Sequence, residues 1–159
     1  MADDSPQVVH VPAGAGDTVF LLGDTYTTLL TGPQTGNAFS LLEALVPAHT
    51  GPPPHIHHAE DETFVLLNGL LDFHVGPDVH RALPGSVVFV PRGTPHHFAN
   101  VGDAPAKMLF LYSPAGMEDM FAEIGAPGQR GVQAPPLTAS DVQALAAVAE
   151  RYRFSIVAD

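Results

Sequence analysis

Cysteine is absent from this 159-residue chain, and basic residues are scarce. Without cysteine the protein cannot form disulfides, thiolate metal sites, iron–sulfur clusters or cysteine nucleophiles. Six Lys and Arg stand against 17 Asp and Glu, which gives a net charge of −11 with histidine neutral. A protein that binds the phosphate backbone of nucleic acids concentrates basic residues on one face. The composition therefore predicts no nucleic-acid partner.

The chain also lacks long apolar runs and a basic N-terminal segment. No run approaches the roughly 20 apolar residues that a membrane-spanning helix needs. The first 30 residues contain no Lys or Arg, whereas a signal peptide begins with positive charge. We therefore expect a cytoplasmic protein without a membrane partner.

Turn-forming residues, in contrast, are abundant. The 15 Gly and 16 Pro separate short apolar segments at nearly regular spacing, which is typical of an all-β sandwich or barrel. An additional edge strand is expected at Val8–Val11, and Asn68-Gly69 predicts a hairpin turn. The main strands are expected at Val19–Leu22, Tyr26–Leu30, Phe39–Val46, Thr63–Leu67, Leu70–Val75, Val79–Leu83, Val87–Val90, His96–Asn100 and Met108–Tyr112.

Helix is expected only in the C-terminal third of the chain. Ala115–Ile124 has the length and composition of one short helix. Thr138 followed by Asp141 resembles a capping box, and apolar residues then recur at helical spacing. This pattern predicts a second helix that runs to about Tyr152.

The nine histidines are unevenly distributed, and one group follows a Pro-rich turn. Side chains alternate along a strand, so His55 and His57 point to one face and His58 points to the other. Two imidazoles on one face can chelate one ion, and a carboxylate from a neighbouring strand can complete the ligand set. Such a set suits Fe, Mn, Ni, Co, Cu or Zn. Because an isolated His-x-His is more often a surface or loop feature, the interpretation depends on the wider pattern.

That wider pattern consists of two spaced strings. From His55 to Gly69 the sequence reads H-x-H-x4-E-x6-G, and from Gly85 to Asn100 it reads G-x5-P-x-G-x2-H-x3-N. The strings resemble the two motifs of the cupin superfamily, and the second string matches at every fixed position. The family usually has a Gly six residues before the first histidine of this motif, and His49 stands at that position here.

The resemblance implies an all-β fold, the cupin double-stranded β-helix or jelly-roll barrel, with short C-terminal helices. It implies a single cupin domain over residues 1–159, with a barrel core at about 17–113 and a C-terminal helical extension at about 114–159. It also implies a homodimer.

The resemblance further implies one divalent transition-metal ion per chain, held by His55, His57, Glu62 and His96 inside the barrel. Glu60 is the competing carboxylate, but Glu62 has the family's spacing. Glu62 is therefore assigned both as a ligand and as the catalytic carboxylate. The identity of the metal stays open.

Several polar residues near the motifs have more than one interpretation. His58 and His97 adjoin the expected ligands but face the opposite way, so they belong at the surface or behind the ligands. Asn100 is expected to bond nearby backbone. Glu43, in an otherwise apolar strand, either supports the site or faces solvent.

Apolar residues on the ligand-facing side form a further group. Taken singly, each is best explained as barrel core. Together they predict an apolar pocket around the metal for a small-molecule substrate. The residues are Phe39, Phe64, Leu66, Phe98, Met108, Phe110 and Tyr112.

Within the cupins, the chain resembles small single-barrel proteins akin to bacterial quercetin 2,3-dioxygenases. The similarity lies in the stretches PPPHIHHAEDETFVLLNG, VPRGTPHHF and LTASDVQALAAVAERY. It implies a metal-dependent dioxygenase acting on an aromatic or enolic small molecule such as a flavonol. A fold does not fix a substrate. A non-oxidative cyclase or isomerase of a polyketide-like substrate, and a non-catalytic metal- or ligand-binding barrel, therefore stay as alternatives.

Overall fold

The computed structural model describes residues 5–158, which form two antiparallel β-sheets and two short helices. In chain order, the elements of this range are β1 (Asp17–Leu21), β2 (Asp24–Leu30), a 3₁₀ turn (Pro33–Thr35), β3 (Ser40–Val46), β4 (His55–His57), β5 (Asp61–Asn68), β6 (Leu71–Val75), β7 (Asp78–Ala82), β8 (Val87–Val90), β9 (His96–Asn100), β10 (Ala106–Ser113), α1 (Met117–Ile124), β11 (Ala126–Pro127), α2 (Ala139–Val148) and β12 (Phe154–Ile156).

The chain crosses repeatedly between the two sheets. The larger sheet has the strand order β11-β1-β2-β3-β10-β5-β8, and the smaller has the order β12-β4-β9-β6-β7. From β3 to β10 the chain changes sheet at every step except between β6 and β7. These antiparallel crossovers form the expected jelly-roll sandwich.

Alternating burial along the strands places the core between the sheets. In β5, β9 and β10 the buried residues alternate with partly exposed ones. The inward side chains interlock across the gap: the ring of Phe64 on β5 lies 4.8 Å from Phe73 and 6.1 Å from Phe98 in the other sheet. Each large apolar side chain buried in this way contributes about 1.5–3 kcal/mol to stability.

The predicted hairpin at Asn68-Gly69 is wrong. Strand β5 pairs with β10 and β8, whereas β6 pairs with β7 and β9, so this turn carries the chain from one sheet to the other. Gly69 has a φ of +94°, and a Cβ there would lie 2.7 Å from the Cα of Ala106. The glycine serves a close approach between backbones at the corner of the sandwich.

The two ends of the chain also differ from the prediction. Val8–Val11 forms no strand, and the outer edge of β1 pairs instead with β11 from the C-terminal segment. Helix α2 ends at Val148, before Tyr152, and the chain turns back so that the Phe154 N–H donates to the Ala149 carbonyl. This turn delivers β12 to the edge of β4, a pairing that no pattern in the sequence predicted.

The predicted capping box at the start of α2 is confirmed. The Asp141 carboxylate accepts from the Thr138 backbone N–H at 2.7 Å, and the Thr138 hydroxyl accepts from the Asp141 N–H at 3.3 Å. Neither α1 nor α2, the α-helices of residues 5–158, has the length and apolarity required to cross a membrane.

Candidate metal centre

Three neighbouring strands bring the four motif residues together. His55 and His57 lie on β4, and His96 lies on β9, where it is the cross-strand partner of His55. Glu62 lies near the start of β5 in the other sheet, so its side chain reaches the histidines across the interior. The strand alternation that placed His55 and His57 on one face is thus present in the structure.

One potential ligand atom from each of these residues lies within 4.8 Å of the others. The Nε2 of His96 lies 2.9 Å from Glu62 Oε2, and the Nε2 of His57 lies 3.5 Å from the same oxygen. His57, Glu62 and His96 are almost fully buried, while His55 is partly exposed. The cluster can therefore hold one metal ion away from bulk water.

Backbone carbonyls orient two of the imidazoles. The Nδ1 of His55 lies 2.9 Å from the Pro53 carbonyl, and the Nδ1 of His96 lies 2.8 Å from the Thr94 carbonyl. If each Nδ1 donates its proton there, the lone pair of Nε2 points into the cluster, the usual arrangement of histidine ligands. Both ring nitrogens of His57 are buried without a hydrogen-bond partner within residues 5–158. A metal ligand is the chemistry that fits such an imidazole.

The electrostatics of His55, His57 and Glu62 favour the protonation states that bind a metal. Burial, aided by the neighbouring His57 and His96, lowers the pKa of His55 to about 3, and burial also lowers the pKa of His57. Burial raises the pKa of Glu62, but the hydrogen bond with His96 and the three histidines outweigh it, so the net pKa lies below its usual value. Neutral imidazoles and an ionised carboxylate are the forms that ligate metals.

The pKa of His96 moves in the opposite direction. Burial lowers it, but the hydrogen bond and the charge of Glu62 outweigh burial and raise the net value. Without a metal, His96 and Glu62 form a buried hydrogen-bonded pair, and the raised pKa widens the pH range in which His96 carries a proton. Metal binding must displace this proton.

The motif loops are fixed around the ligands. The backbone N–H of Gly93 donates to the His57 carbonyl at 2.7 Å, and the Arg92 guanidinium pairs with Asp61 beside Glu62. Asn100 donates to the backbone carbonyls of Val46 and Ala104, as its expected backbone role requires. The polar residues of the second motif therefore hold the loops on which the ligands depend.

The remaining acidic and histidine candidates lie outside the cluster. Glu60 is buried but contributes no atom to the group of ligands, and burial raises its pKa to about 7. Exposed His58 bonds the Ser155 hydroxyl at 2.7 Å, and His97 stacks on a neighbouring imidazole. Glu43 is buried, and its carboxylate pairs with Arg130 at 2.8 Å. Because this ion pair uses the carboxylate, Glu43 neither supports the candidate metal site nor faces solvent.

A small, largely apolar cavity with a volume of about 50 Å³ adjoins the cluster. Of the predicted pocket residues, Phe98, Phe110 and Tyr112 line this cavity together with three of the candidate ligands. Phe64, Leu66 and Met108 are buried in the barrel core beside it. Phe39 is partly exposed and precedes β3.

Much of the cavity wall comes from residues that the sequence interpretation missed. The C-terminal elements cover the barrel at this point, and Tyr26 on β2 also lines the cavity. In α1, the i, i+3, i+4 spacing of Met117, Met120 and Phe121 is a signal for an inward helical face. The missed lining residues are Leu21, Leu22, Tyr26, Pro52, Pro53, Met117, Met120, Phe121, Leu145 and Phe154.

The chain forms a two-sheet antiparallel jelly roll. Three histidines and a glutamate converge in its interior, where they can hold a metal ion. Residues 41–112 match the family model of the cupin domain. Residues 41–112 therefore form a cupin domain.

One relative aligns with half of the chain, and several solved structures share its fold. The chain is 31% identical over 81 residues to an uncharacterized protein of Methanocaldococcus jannaschii, covering 50% of the chain and 65% of the relative's length. An RmlC-like cupin of Shewanella frigidimarina superposes with a TM-score of 0.60 at 14% identity, covering 72% of this chain and 99% of that one. A predicted oxalate decarboxylase of Thermotoga maritima gives 0.59 at 20% identity, covering 68% and 99%. At these identities the structural similarity concerns the fold alone.

Proposed function

We propose that this cupin binds one divalent transition-metal ion per chain through His55, His57, Glu62 and His96. We further propose that it is a dioxygenase of an aromatic or enolic small molecule such as a flavonol. The observation that carries the proposal is the position of the cluster, whose ligand atoms face an apolar cavity. Catalytic metal sites keep a coordination position open toward such a cavity, whereas structural sites are closed.

The residues around the cavity have distinct roles in this proposal. A metal bound there would supply Lewis acidity and, if redox-active, electron transfer. Glu62 is the proposed catalytic carboxylate, because its ionised form can accept the proton of an enolic hydroxyl. The apolar wall of Phe98, Phe110 and Phe121 excludes water and contacts the flat body of the substrate.

Oxygen consumption tests the dioxygenase activity directly. The protein is reconstituted with Fe, Mn, Ni, Co or Cu and mixed with quercetin in an oxygen-electrode cell while flavonol absorbance is followed. We expect one O2 to be consumed per flavonol, and we expect His57→Ala to abolish this consumption while His58→Ala retains it. Flavonol loss without oxygen uptake, or no loss with any of these metals, contradicts a flavonol dioxygenase.

A non-oxidative cyclase or isomerase is the second candidate, and Tyr112 favours it. Tyr112 lines the cavity and is the cross-strand neighbour of Glu62. Burial and the charge of Glu62 hold the pKa of this phenol well above its usual value, so it stays protonated and can donate a hydrogen bond to a substrate oxygen. Turnover that persists under argon with the Zn-loaded protein would select this candidate. Ligand binding without product would select the non-catalytic alternative.

A homodimer is a separate proposal, supported by the family resemblance and by an exposed apolar strand. Val87 and Phe89 on edge strand β8 are 62% and 60% exposed. An uncovered apolar edge strand is a common pairing surface. Sedimentation analysis of the wild type and of Phe89→Lys tests the proposal, since a monomeric wild type contradicts it.

A further inference from the structure

Asp24 is a fully buried carboxylic acid that lies outside the metal cluster. Its Oδ2 accepts a hydrogen bond from the Tyr26 hydroxyl at 3.0 Å. Its Oδ1 is buried without a hydrogen-bond partner among residues 5–158. Burial raises the pKa of Asp24 to about 7, although the hydrogen bond from Tyr26 acts against this rise. Because a buried, partly unsatisfied acid costs stability, its presence requires a reason.

Tyr26 connects this acid to the cavity. Asp24 and Tyr26 are two residues apart on β2, so both side chains occupy the inward face. The cross-strand partner of Asp24 is Leu21, which lines the cavity as Tyr26 does. The rings of Phe121 and Phe110 hold the Tyr26 ring edge-on, at centroid distances of 4.7 and 5.8 Å.

The hydrogen bond to Asp24 determines what the Tyr26 hydroxyl can offer to a ligand. A phenolic hydroxyl has one proton to donate and lone pairs that accept. Because the proton is directed to Asp24, the lone pairs are the part of the hydroxyl that remains free to accept a hydrogen bond. The surrounding wall consists mainly of aromatic, Leu and Met side chains, which favour a flat apolar body.

We propose that Tyr26, held in place by Asp24, is a hydrogen-bond-accepting subsite of the cavity for the hydroxyl of a small phenolic ligand. Tyr26 contacts the ligand, and Asp24 is a positioning residue. The inference rests on the proposed function only in taking the cavity as the ligand site, and it requires no bound metal. The competing explanation is an internal hydrogen bond of the barrel wall, which affects stability but not ligand selectivity.

A pair of probes that differ by one hydroxyl distinguishes these explanations. Dissociation constants of 4-fluorophenol and fluorobenzene are measured by ¹⁹F NMR with the full chain, both as purified and after chelator treatment. In Tyr26→Phe we expect the preference for 4-fluorophenol to fall by about 2- to 10-fold, the usual contribution of one hydrogen bond. Fluorobenzene should bind both proteins equally. Tyr152→Phe is the matched control, because its hydroxyl bonds Glu123 outside the cavity.

The contribution of Asp24 is read from two variants. Asp24→Asn keeps an oxygen that can accept from Tyr26 and should retain most of the preference, whereas Asp24→Ala should lose it. An unchanged preference in a folded Asp24→Ala protein refutes the positioning role. If circular dichroism shows that Asp24→Ala does not fold, Asp24→Asn decides, and loss of the preference in this variant refutes the role.

The remaining outcomes are equally decisive. An unchanged preference in Tyr26→Phe, or no binding of 4-fluorophenol to the wild type, overturns the subsite. A Tyr26-dependent preference in a protein that neither takes up metal nor consumes oxygen supports the subsite and refutes the proposed function.

Discussion

Two groups of histidines lie on opposite faces of the same sheet, and they differ in every property that metal binding requires. His96 belongs to the inner cluster, whereas its neighbour His97 faces outward and stacks on His74, with ring centroids 4.4 Å apart and planes only 6° apart. The lone pair of an imidazole lies in the ring plane, so parallel stacked rings direct their lone pairs side by side. The inner rings of His55 and His96 are inclined by 58° and can point to one centre.

The comparison shows that proximity of imidazoles is insufficient for a metal site. The inner group has a buried carboxylate, backbone carbonyls that fix the rings, and an adjoining cavity. The outer His74–His97 pair is partly exposed and contributes no atom to the metal-ligand group. A shift of one residue along β9 separates the two environments, and this supplies His97 as a matched control for His96.

Removal of an inner histidine should have the largest effect. We expect His57→Ala and His96→Ala to weaken metal binding by at least about 100-fold. Loss of a residue that only hydrogen-bonds to a ligand already costs up to about 100-fold, and loss of the ligand itself should cost no less. His58→Ala and His97→Ala should stay within about twofold of the wild type. Competition titration with a chromophoric chelator measures all four proteins. Equal affinities for His96→Ala and His97→Ala would remove the distinction between the two groups.

The carboxylate should contribute the next largest effect. Glu62→Gln keeps the size of the side chain but removes its charge, so we expect metal affinity to fall by about 10- to 100-fold. Glu60→Gln is the control, because Glu60 is buried nearby but provides no ligand atom. The same titration measures both variants. A larger loss in Glu60→Gln would reassign the ligand.

Metal affinity should also fall as the pH is lowered. The pKa values of His55 and His57 are depressed, so these residues are already neutral near pH 7, whereas the pKa of His96 is raised. Below the raised pKa of His96 the metal must displace the proton of this imidazole, so the apparent affinity should fall there by up to about tenfold per pH unit. Calorimetric titrations at several pH values, in buffers of different ionisation enthalpy, count the released protons. Proton release that does not grow toward one as the pH falls, or that reaches three, contradicts this account.

The cover over the inner group should have the smallest effect on metal binding. Phe154 of β12 pairs with His57, and its ring lies 6.2 Å from the imidazole. We expect Phe154→Ala to lower the free energy of unfolding by about 3–5 kcal/mol, as for other buried phenylalanines, and metal affinity only a few-fold. Leu83→Ala, at an exposed site outside the proposed pairing strand, should change the free energy of unfolding by about 0.5 kcal/mol or less. Urea titrations compare the two, and similar values would mean that β12 does not cover the site tightly.

The sequence predicted the parts of the site that depend on local spacing. The His-x-His alternation and the two motifs identified His55, His57, Glu62 and His96 because each strand sets the direction of its own side chains. Even the departure at His49 has a local explanation. This residue adopts a φ of +60°, a conformation that glycine reaches at no cost, which accounts for the glycine usual there in the family.

The parts that depend on distant pairing were missed. Strand β12 has three residues and therefore no periodic signal, and its partner β4 lies almost 100 residues earlier in the chain. The cavity wall has the same origin, since Tyr26, Phe121 and Leu145 come from three separate elements. The Asn68-Gly69 turn was misinterpreted because the dipeptide specifies a reversal of the chain but not which sheet receives it.

The metal content of the untagged protein, purified without chelator, is the most direct test of the central claim. Elemental analysis of the wild type, His96→Ala and His97→Ala decides it in one experiment. The account predicts about one transition-metal ion per chain in the wild type and His97→Ala, and little in His96→Ala. A wild type that stays empty after reconstitution, or a His96→Ala variant that keeps its metal, would contradict the site.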